Sequence, residues 1–288
     1  MSTAITIDFL VPGFSKCGTT TLCSLLAQHP QLYIPELKEP WYFSADDFEQ
    51  RGEDYARHFA PASAGQLLGE GSVSYSGYEK EDISISRIFD NNPHCRFVFI
   101  ARNPRKRIES SFREMHNSGV KFGLNAPYAL SECLDVFPQM LNDSLYFQRI
   151  SKYVDTFGAH SIQVVFLEDL QRDAPAEMRR CFKHLGVDPD FQVAAGVRLN
   201  QGSQKVYDSR LLRALRSHPW TGFKLARFSP EQQDRVLRPL GLRPAFSKPV
   251  QWDAASLQLL EERVMPDSRE FLAAYGKQPG YWEMRSPA

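Results

Sequence analysis

A β-rich run at residues 5–11, a glycine-containing loop and a helical pattern at residues 19–28 follow one another, and this succession restricts the fold more than any other feature. The loop runs from Gly13 to Thr21 and reads Gly-Phe-Ser-Lys-Cys-Gly-Thr-Thr-Thr. Glycine permits a tight turn, and successive backbone N–H groups in such a turn form a nest for an anion. Because the positive end of the next helix points to the same place, the segment predicts a phosphate-binding loop.

The position of the lysine distinguishes this loop from that of the nucleoside triphosphatases. In those enzymes lysine comes directly after the second glycine, whereas here Thr19 stands there and Lys16 lies two residues before Gly18. Phosphate binding is therefore favoured over a kinase or an ATPase. A plain strand–helix turn is the alternative for the loop taken alone.

The rest of the chain alternates between two kinds of pattern. Apolar, strand-like runs lie at residues 32–35, 66–68, 96–101 and 161–167. Helical patterns lie at residues 51–59, 83–89, 106–115 and 143–157. Such alternation predicts a P-loop-like, three-layer α/β fold in which helices flank a central parallel sheet. One domain over residues 1–288 is expected, with ligands beyond the carboxyl ends of the strands.

Charge is balanced over the whole chain, but acidic and basic residues are concentrated in different segments. The 34 basic and 34 acidic residues give a formal net charge of zero, which argues against a general nucleic-acid or anionic-membrane binder. Residues 36–82 hold eleven acidic and four basic side chains, whereas residues 196–250 hold eleven basic and three acidic side chains. This basic segment is rich in Pro and Gly and is interpreted as an irregular lid over an anionic ligand or, alternatively, as a solvated face.

Five scattered cysteines form no Cys-x-x-Cys pair, and they predict reduced, mostly buried thiols rather than a zinc site or a disulfide framework. No apolar run approaches the ~20 residues that a membrane span needs, and no secretory leader precedes Asp8. A cytoplasmic protein with no metal and no nucleic-acid or membrane partner is expected. The oligomeric state stays open.

Three further motifs accompany the loop. Arg102-Asn103-Pro104 follows the apolar run at residues 96–101, and Ser110 comes eight residues after Arg102. Proline suits a helix start, and an arginine at a strand end can grip a phosphate. The other two motifs follow the second and third predicted strands and read Pro35-Glu36-Leu37-Lys38-Glu39-Pro40-Trp41-Tyr42-Phe43 and Gly69-Glu70-Gly71-Ser72-Val73-Ser74-Tyr75.

Together these motifs resemble those of the sulfotransferases that use 3′-phosphoadenosine 5′-phosphosulfate (PAPS), and in particular the heparan sulfate and related bacterial carbohydrate branch. The resemblance extends over roughly the whole chain. It implies in-line transfer of a sulfo group from PAPS to a hydroxyl, or alternatively an amine, of a small molecule or sugar, with adenosine 3′,5′-bisphosphate as the product. A P-loop kinase of small molecules and a non-catalytic nucleotide-binding regulator are the alternatives.

The resemblance also implies roles for individual residues. Donor binding is assigned to Lys16, Cys17, Gly18, Thr19, Thr20, Thr21, Arg102 and Ser110, with Lys205 and Arg210 as further candidates in the basic segment. The catalytic candidates are Lys16 as the cation at the leaving phosphate, Glu39 as the base and His116 as a substitute base. Acceptor binding is assigned to Trp41, Tyr42, Glu70 and Ser72.

Two positions depart from the family pattern. Gly71 stands where many relatives carry a lysine beside the sulfo group, so that contact is missing or comes from elsewhere. Trp41 stands where the carbohydrate enzymes often carry an acceptor-binding histidine, which favours a smaller or more apolar acceptor. Lys38, next to the candidate base, is either exposed or a helper.

Overall fold

The computed structural model describes residues 5–118, 125–194, 205–220 and 227–282. These residues form two compact units. The first consists of the described residues up to 104, from 142 to 194 and from 264 to 282. The second consists of the described residues of 105–141 and 205–263.

The first unit contains the five-stranded parallel sheet that the sequence predicts, in the strand order β2-β3-β1-β4-β5. The strands are β1 (Phe9–Leu10), β2 (Leu32–Tyr33), β3 (Leu67–Glu70), β4 (Arg96–Ala101) and β5 (Ile162–Phe166). Parallel neighbours require long crossovers, and the helices of this unit supply them.

The helices of the first unit are α1 (Thr19–Leu26), α2 (Gly52–Arg57), α3 (Glu81–Asn91), α7 (Tyr146–Phe157), α8 (Leu167–Arg172), α9 (Ala174–Leu185) and α13 (Met265–Ala274). Short 3-10 turns lie at Phe48–Gln50, Val73–Ser76 and Ala159–Ser161. Helix α9 shows how particular residues determine where a helix begins and ends. The Asp173 carboxylate accepts a hydrogen bond from Ala176 N–H at its start, and Gly186 ends it in the left-handed conformation.

Both faces of strand β4 are covered. The rings of Phe97 and Phe99 lie 5.0 and 5.1 Å from the ring of Tyr153 on α7. The Ile100 side chain lies beside Gly18, where α1 begins. Alternate residues of a strand point to opposite faces, so helices pack on both sides of the sheet. This is the predicted three-layer arrangement.

Strand β1 is shorter than its apolar run. Ile7 N–H donates to the side-chain oxygen of Asn91, and Leu68 N–H donates to the carboxylate of Asp8. These side-chain hydrogen bonds supplement the backbone pairing at the start of the run, where Asp8 N–H donates to the Leu68 carbonyl and the Asp8 carbonyl accepts from Arg96 N–H. Phe9 and Leu10 form the strand itself and pair with both neighbouring strands.

The second unit is helical. Its helices are α4 (Pro104–Asn117), α5 (Leu130–Val136), α6 (Gln139–Asn142), α10 (Arg210–Ser217), α11 (Pro230–Leu237) and α12 (Ala254–Leu259), followed by a π-helical turn at Leu260–Val264. None of the helices in the described parts of either unit is long and apolar enough to cross a membrane.

The predicted lid lies partly in this unit. Residues 196–204 and 221–226 of that prediction lie outside the described residues. The described part is more regular than its Pro and Gly content suggested, since α10 and α11 are eight residues long and start at the caps Ser209 and Ser229. The lid role itself stays a prediction.

A group of charges, which we call the Asp208 cluster, lies in the second unit and consists of the buried Asp208 and Arg243 and the partly exposed Arg216 and Asp234. The Asp208 carboxylate lies 2.8 Å from Arg216 Nε and 3.1 Å from Arg243 Nε. Arg243 also pairs with Asp234 and is 1% exposed. Charges this deeply buried are found where opposite charges compensate one another.

Candidate active site

The loop between β1 and α1 is held by backbone hydrogen bonds to β4. Phe14 N–H donates to the Ile100 carbonyl at 2.8 Å, and Ile100 N–H donates to the Gly13 carbonyl at 2.8 Å. Lys16 adopts a left-handed backbone with φ of 67°. Gly18 has φ of 101°, a conformation that strains residues with a side chain. The predicted phosphate-binding loop is thus a defined turn at the carboxyl end of β1.

Helix α1 starts directly behind this turn. Its N-cap is Gly18, which has no side chain to cap the N–H groups of the first turn. Such N–H groups, together with the helix dipole, attract an anion. The side chains of Thr19 and Thr21 are 5% and 7% exposed, and Thr20 is exposed. The arrangement suits a phosphate group.

Tyr146 connects the loop to the Arg102 motif. Its hydroxyl donates to the carbonyl oxygen of Arg102 at 2.9 Å and lies 3.3 Å from Cys17 Sγ. The Arg102 guanidinium donates to the Lys16 carbonyl oxygen at 3.4 Å. The structure therefore brings Lys16, Cys17 and Arg102 together at the ends of β1 and β4, and their donor contacts stay predictions.

The segment after β2 carries the candidate base. Glu39 Oε1 lies 2.5 Å from Lys38 Nζ, and Glu39 Oε2 accepts a hydrogen bond from the indole N–H of Trp41 at 3.2 Å. The Glu39 side chain is 25% exposed, so the carboxylate is both held and open to solvent. A held, accessible carboxylate can take a proton from a bound alcohol.

Lys38 joins this segment to the loop. Its Nζ donates to Thr19 Oγ1 at 3.3 Å and to the Gly71 carbonyl oxygen at 3.1 Å. Of the two interpretations of Lys38 that the sequence left open, the structure supports the helper, since the side chain is 18% exposed and contacts Glu39.

Glu70 and Ser72 are both fully buried and support the segment after β2 that carries Glu39. Ser72 N–H donates to Glu70 Oε2 at 2.7 Å, and Ser72 Oγ accepts from Trp41 N–H at 2.9 Å. Burial raises the pKa of the Glu70 carboxyl to about 7, against hydrogen bonds from Tyr75 and Ser72 and the charge of Lys38, which lower it. Acceptor binding by Glu70 and Ser72 stays a prediction, and the contacts that the structure shows for them are internal.

Tyr42 and Trp41 are neighbours in the sequence but differ in packing and exposure. The Tyr42 ring stacks on Tyr55 with centroids 4.1 Å apart and joins an aromatic group that includes Phe43 and Phe48. Trp41 has φ of 54°, and 53% of its surface is exposed. Of the two, Trp41 is the more exposed, and acceptor binding by Tyr42 stays a prediction.

The other predicted site residues belong to the second unit. Ser110 is partly exposed on α4, and Arg210 is the exposed first residue of α10. Lys205 pairs with Glu114. Their donor contacts stay predictions.

His116 is buried in the second unit. It is 2% exposed, its ring stacks on Tyr128 with centroids 5.6 Å apart, and its Nδ1 lies 3.2 Å from an Arg213 guanidinium nitrogen. Burial, and then the charge of Arg213, lower its pKa to about 4. A buried, neutral ring in this setting suits packing, and the role of His116 as a substitute base stays a prediction.

Sequence reasoning missed Tyr146 as a site residue and left Lys38 undecided. Tyr146 lies 129 positions after Cys17, so no local spacing connects the two. Lys38 did carry a signal, because it adjoins the candidate base in the sequence.

The described residues contain no group of three or more His, Cys, Asp or Glu that could hold a metal ion. All five cysteines are free and buried, as expected for structural thiols.

Comparison with known proteins matches most of the chain to one family. The family model described as "Sulfotransferase domain" matches residues 6–205. The bifunctional heparan sulfate N-deacetylase/N-sulfotransferase 1 of Caenorhabditis briggsae is 23% identical over 211 residues, which cover 67% of this chain and 24% of that protein. The membrane-associated sulfotransferase kil1 of Dictyostelium discoideum is 30% identical over 115 residues, which cover 38% of this chain and 23% of that protein. The chain therefore spans about a quarter of the length of these relatives.

Among solved structures, the sulfotransferase from Alicyclobacillus acidocaldarius superimposes with a TM-score of 0.56 at 22% identity. The match covers 82% of this chain and 96% of that protein. At this identity the likeness concerns the fold.

Proposed function

The chain belongs to the sulfotransferase domain family, and from this premise we propose that it transfers a sulfo group from PAPS to a hydroxyl of a small molecule or sugar, with an amine as the alternative acceptor group. The bond between sulfur and the bridging oxygen of the donor's 5′-phosphate breaks, and a bond between sulfur and the acceptor oxygen forms. The acceptor's proton goes to Glu39, and the electron pair of the broken bond stays on the phosphate.

One observation carries the proposal. Thr19 of the phosphate-binding loop, the ammonium of Lys38 and the carboxylate of Glu39 form a continuous chain of contacts, with Lys38 Nζ 3.3 Å from Thr19 Oγ1 and 2.5 Å from Glu39 Oε1. A base held this close to an anion-binding loop is what a direct transfer from phosphate to alcohol requires.

The proposed donor site uses both ends of the nucleotide. Lys16, Cys17, Gly18 and the three threonines that follow would hold the 5′-phosphate, and Arg102 with Ser110 the 3′-phosphate. Lys205 and Arg210 are further proposed 3′-phosphate contacts. For Lys205 this would require a rearrangement, because the structure pairs it with Glu114.

The proposed acceptor contacts are Trp41, Tyr42, Glu70 and Ser72. The exposed indole of Trp41 supports an acceptor with an apolar surface, since it donates its N–H to Glu39 and so lies beside the base. A cytoplasmic location is part of the proposal, and the five free, buried cysteines support it.

The deciding experiment is calorimetry with adenosine 3′,5′-bisphosphate and, separately, with Mg-ATP, followed by acceptor screening with sulfur-labelled PAPS. We expect tighter binding of the bisphosphate and a labelled product. Preference for Mg-ATP with ATP turnover would instead indicate a small-molecule kinase. Bisphosphate binding without transfer to any acceptor would indicate a nucleotide-binding regulator.

The variant Glu39→Gln tests the base directly. It should bind the bisphosphate as the wild-type chain does and lower kcat by at least ~100-fold, within the range that a positioned general base contributes. An unchanged kcat would remove Glu39 from this role.

A further inference from the structure

We propose that Lys38 supplies a second positive charge to the sulfo group during transfer, in addition to the charge of Lys16 at the leaving phosphate. The inference rests on the proposed function and adds a catalytic residue to it.

The position of the Lys38 ammonium supports this role. Its three contacts are Thr19 Oγ1 at 3.3 Å, the Gly71 carbonyl oxygen at 3.1 Å and Glu39 Oε1 at 2.5 Å. Thr19 follows β1, Glu39 follows β2 and Gly71 follows β3, so the ammonium lies where the ends of three adjacent strands meet. A sulfo group passing from the loop toward the base has to cross this region.

Gly71 makes room for the lysine. A Cβ at position 71 would lie 3.3 Å from Lys38 Cγ, 3.5 Å from Lys38 Nζ and 2.5 Å from Cys23 Sγ. A side chain there would therefore displace Lys38 or Cys23. The backbone pairing is separate from the side chain, because Gly71 N–H donates to the Lys38 carbonyl at 2.9 Å. Substituting the lysine side chain leaves this hydrogen bond in place.

Charge and burial agree with the position. The Lys38 side chain is 18% exposed, so water screens its ammonium less than it screens a surface charge. During transfer, negative charge moves from the acceptor oxygen onto the sulfo and phosphate oxygens. A fixed cation next to these oxygens stabilises the transition state more than the bound substrates.

The contact with Glu39 allows a simpler role, in which Lys38 only positions the base. A double-mutant cycle separates the two roles. If Lys38 acted only through Glu39, Lys38→Ala would have no further effect in a Glu39→Gln chain. If it acts on the sulfo group, Lys38→Ala should lower kcat by ~100-fold in the wild-type chain and by at least ~10-fold in the Glu39→Gln chain, measured with sulfur-labelled PAPS. If Lys38→Ala lowered kcat by less than ~2-fold in the Glu39→Gln chain, the proposal would be overturned.

A relocated lysine provides an independent test. In the variant Lys38→Ala/Gly71→Lys/Cys23→Ala, the two side chains that a Cβ at position 71 would meet are shortened, and a new ammonium is introduced from β3. We expect this variant to recover at least ~10-fold in kcat over Lys38→Ala/Cys23→Ala. Failure to recover, with bisphosphate binding intact by calorimetry, would count against a role for charge at this place.

Lys80→Ala is the matched control for loss of a lysine ion pair. Lys80 Nζ lies 2.5 Å from Asp46 Oδ1 in the same unit, at a more exposed position. We expect its kcat to stay within ~2-fold of the wild-type value. A wild-type chain that transfers no sulfo group would overturn the proposed function itself, whereas an active wild-type chain with a fully active Lys38→Ala variant would overturn only the role of Lys38.

Discussion

Positive charge is arranged differently in two places. One is the loop edge of the first unit, by which we mean Lys16, Lys38, Glu39, Gly71 and Arg102 after strands β1 to β4. The other is the Asp208 cluster of the second unit. At the loop edge, Arg102 and Lys38 donate to backbone carbonyls and a hydroxyl, with Glu39 as a partner carboxylate. In the cluster, Arg216 and Arg243 face the carboxylates of Asp208 and Asp234. The basic segment carries the larger excess of positive residues, yet several of its cations are already neutralised. Net charge along a sequence is therefore a poor guide to where an anion binds.

The largest expected effect comes from breaking the cluster. Asp208→Asn leaves the buried Arg243 and the partly exposed Arg216 without their shared carboxylate, and we expect a loss of about 3–5 kcal/mol in the free energy of unfolding. Urea denaturation measures it. The exposed Arg235→Ala on α11 is the control and should change stability by less than ~0.5 kcal/mol. Equal effects of the two variants would show that the cluster does not support the second unit.

The second effect is the pH dependence of stability that arises from the buried carboxyl of Glu70. The pKa of Glu70 rises from 4.5 to about 7 on folding, so between these values the folded chain keeps a proton that the unfolded chain has lost. Stability should therefore fall as pH rises from 4.5 to 7 and level off above, by about 3 kcal/mol in total at ~1.4 kcal/mol per pH unit.

Denaturation of the wild-type and Glu70→Gln chains at several pH values isolates this contribution. The difference between the two curves should carry the slope, because Lys38, Tyr55, Tyr75 and Cys23 face the carboxyl in both. Parallel curves would mean that Glu70 ionises as an ordinary carboxyl.

The third effect is on rate rather than stability. Lys16→Ala should lower kcat by ~100-fold, equivalent to about 2.7 kcal/mol, because a cation at the leaving phosphate is lost. Its unfolding free energy should stay within ~1 kcal/mol of wild type, in contrast to Asp208→Asn. Steady-state kinetics and urea denaturation of both variants measure the two effects. An unchanged kcat in the Lys16→Ala variant would contradict this prediction.

The smallest effect tests the connection between the two proposed donor-binding motifs. Tyr146→Phe removes the hydroxyl that joins Cys17 and Arg102, and we expect a loss of about 1 kcal/mol in stability together with a ~3–10-fold rise in KM for PAPS. Tyr153→Phe is the matched control, since its buried hydroxyl donates to the Tyr75 carbonyl at 2.7 Å, away from the loop. It should lose similar stability with KM unchanged. A shared change in KM would assign the Tyr146 effect to general loosening.

Much of the first unit was predictable because its signals are local. The apolar run at residues 96–101 is strand β4. Of the predicted loop, Gly13 to Gly18 lie between β1 and α1, and Thr19 to Thr21 form the first residues of α1. The family resemblance placed Glu39 at the end of β2. It did not show that Trp41 and Lys38 hold its two oxygens, because that depends on the left-handed backbone of Trp41 and on which way Lys38 turns.

The residues alone sufficed to predict the order of strands and helices and the place of the proposed phosphate-binding loop, since periodicity and turn chemistry act over a few neighbouring residues. The tertiary structure alone decided which charges meet. It placed the Lys38 ammonium against Thr19 and Gly71, the Tyr146 hydroxyl between Cys17 and Arg102, and His116 inside an aromatic pocket. These contacts join residues that are far apart along the chain, and only the packing of the elements brings them within hydrogen-bonding distance.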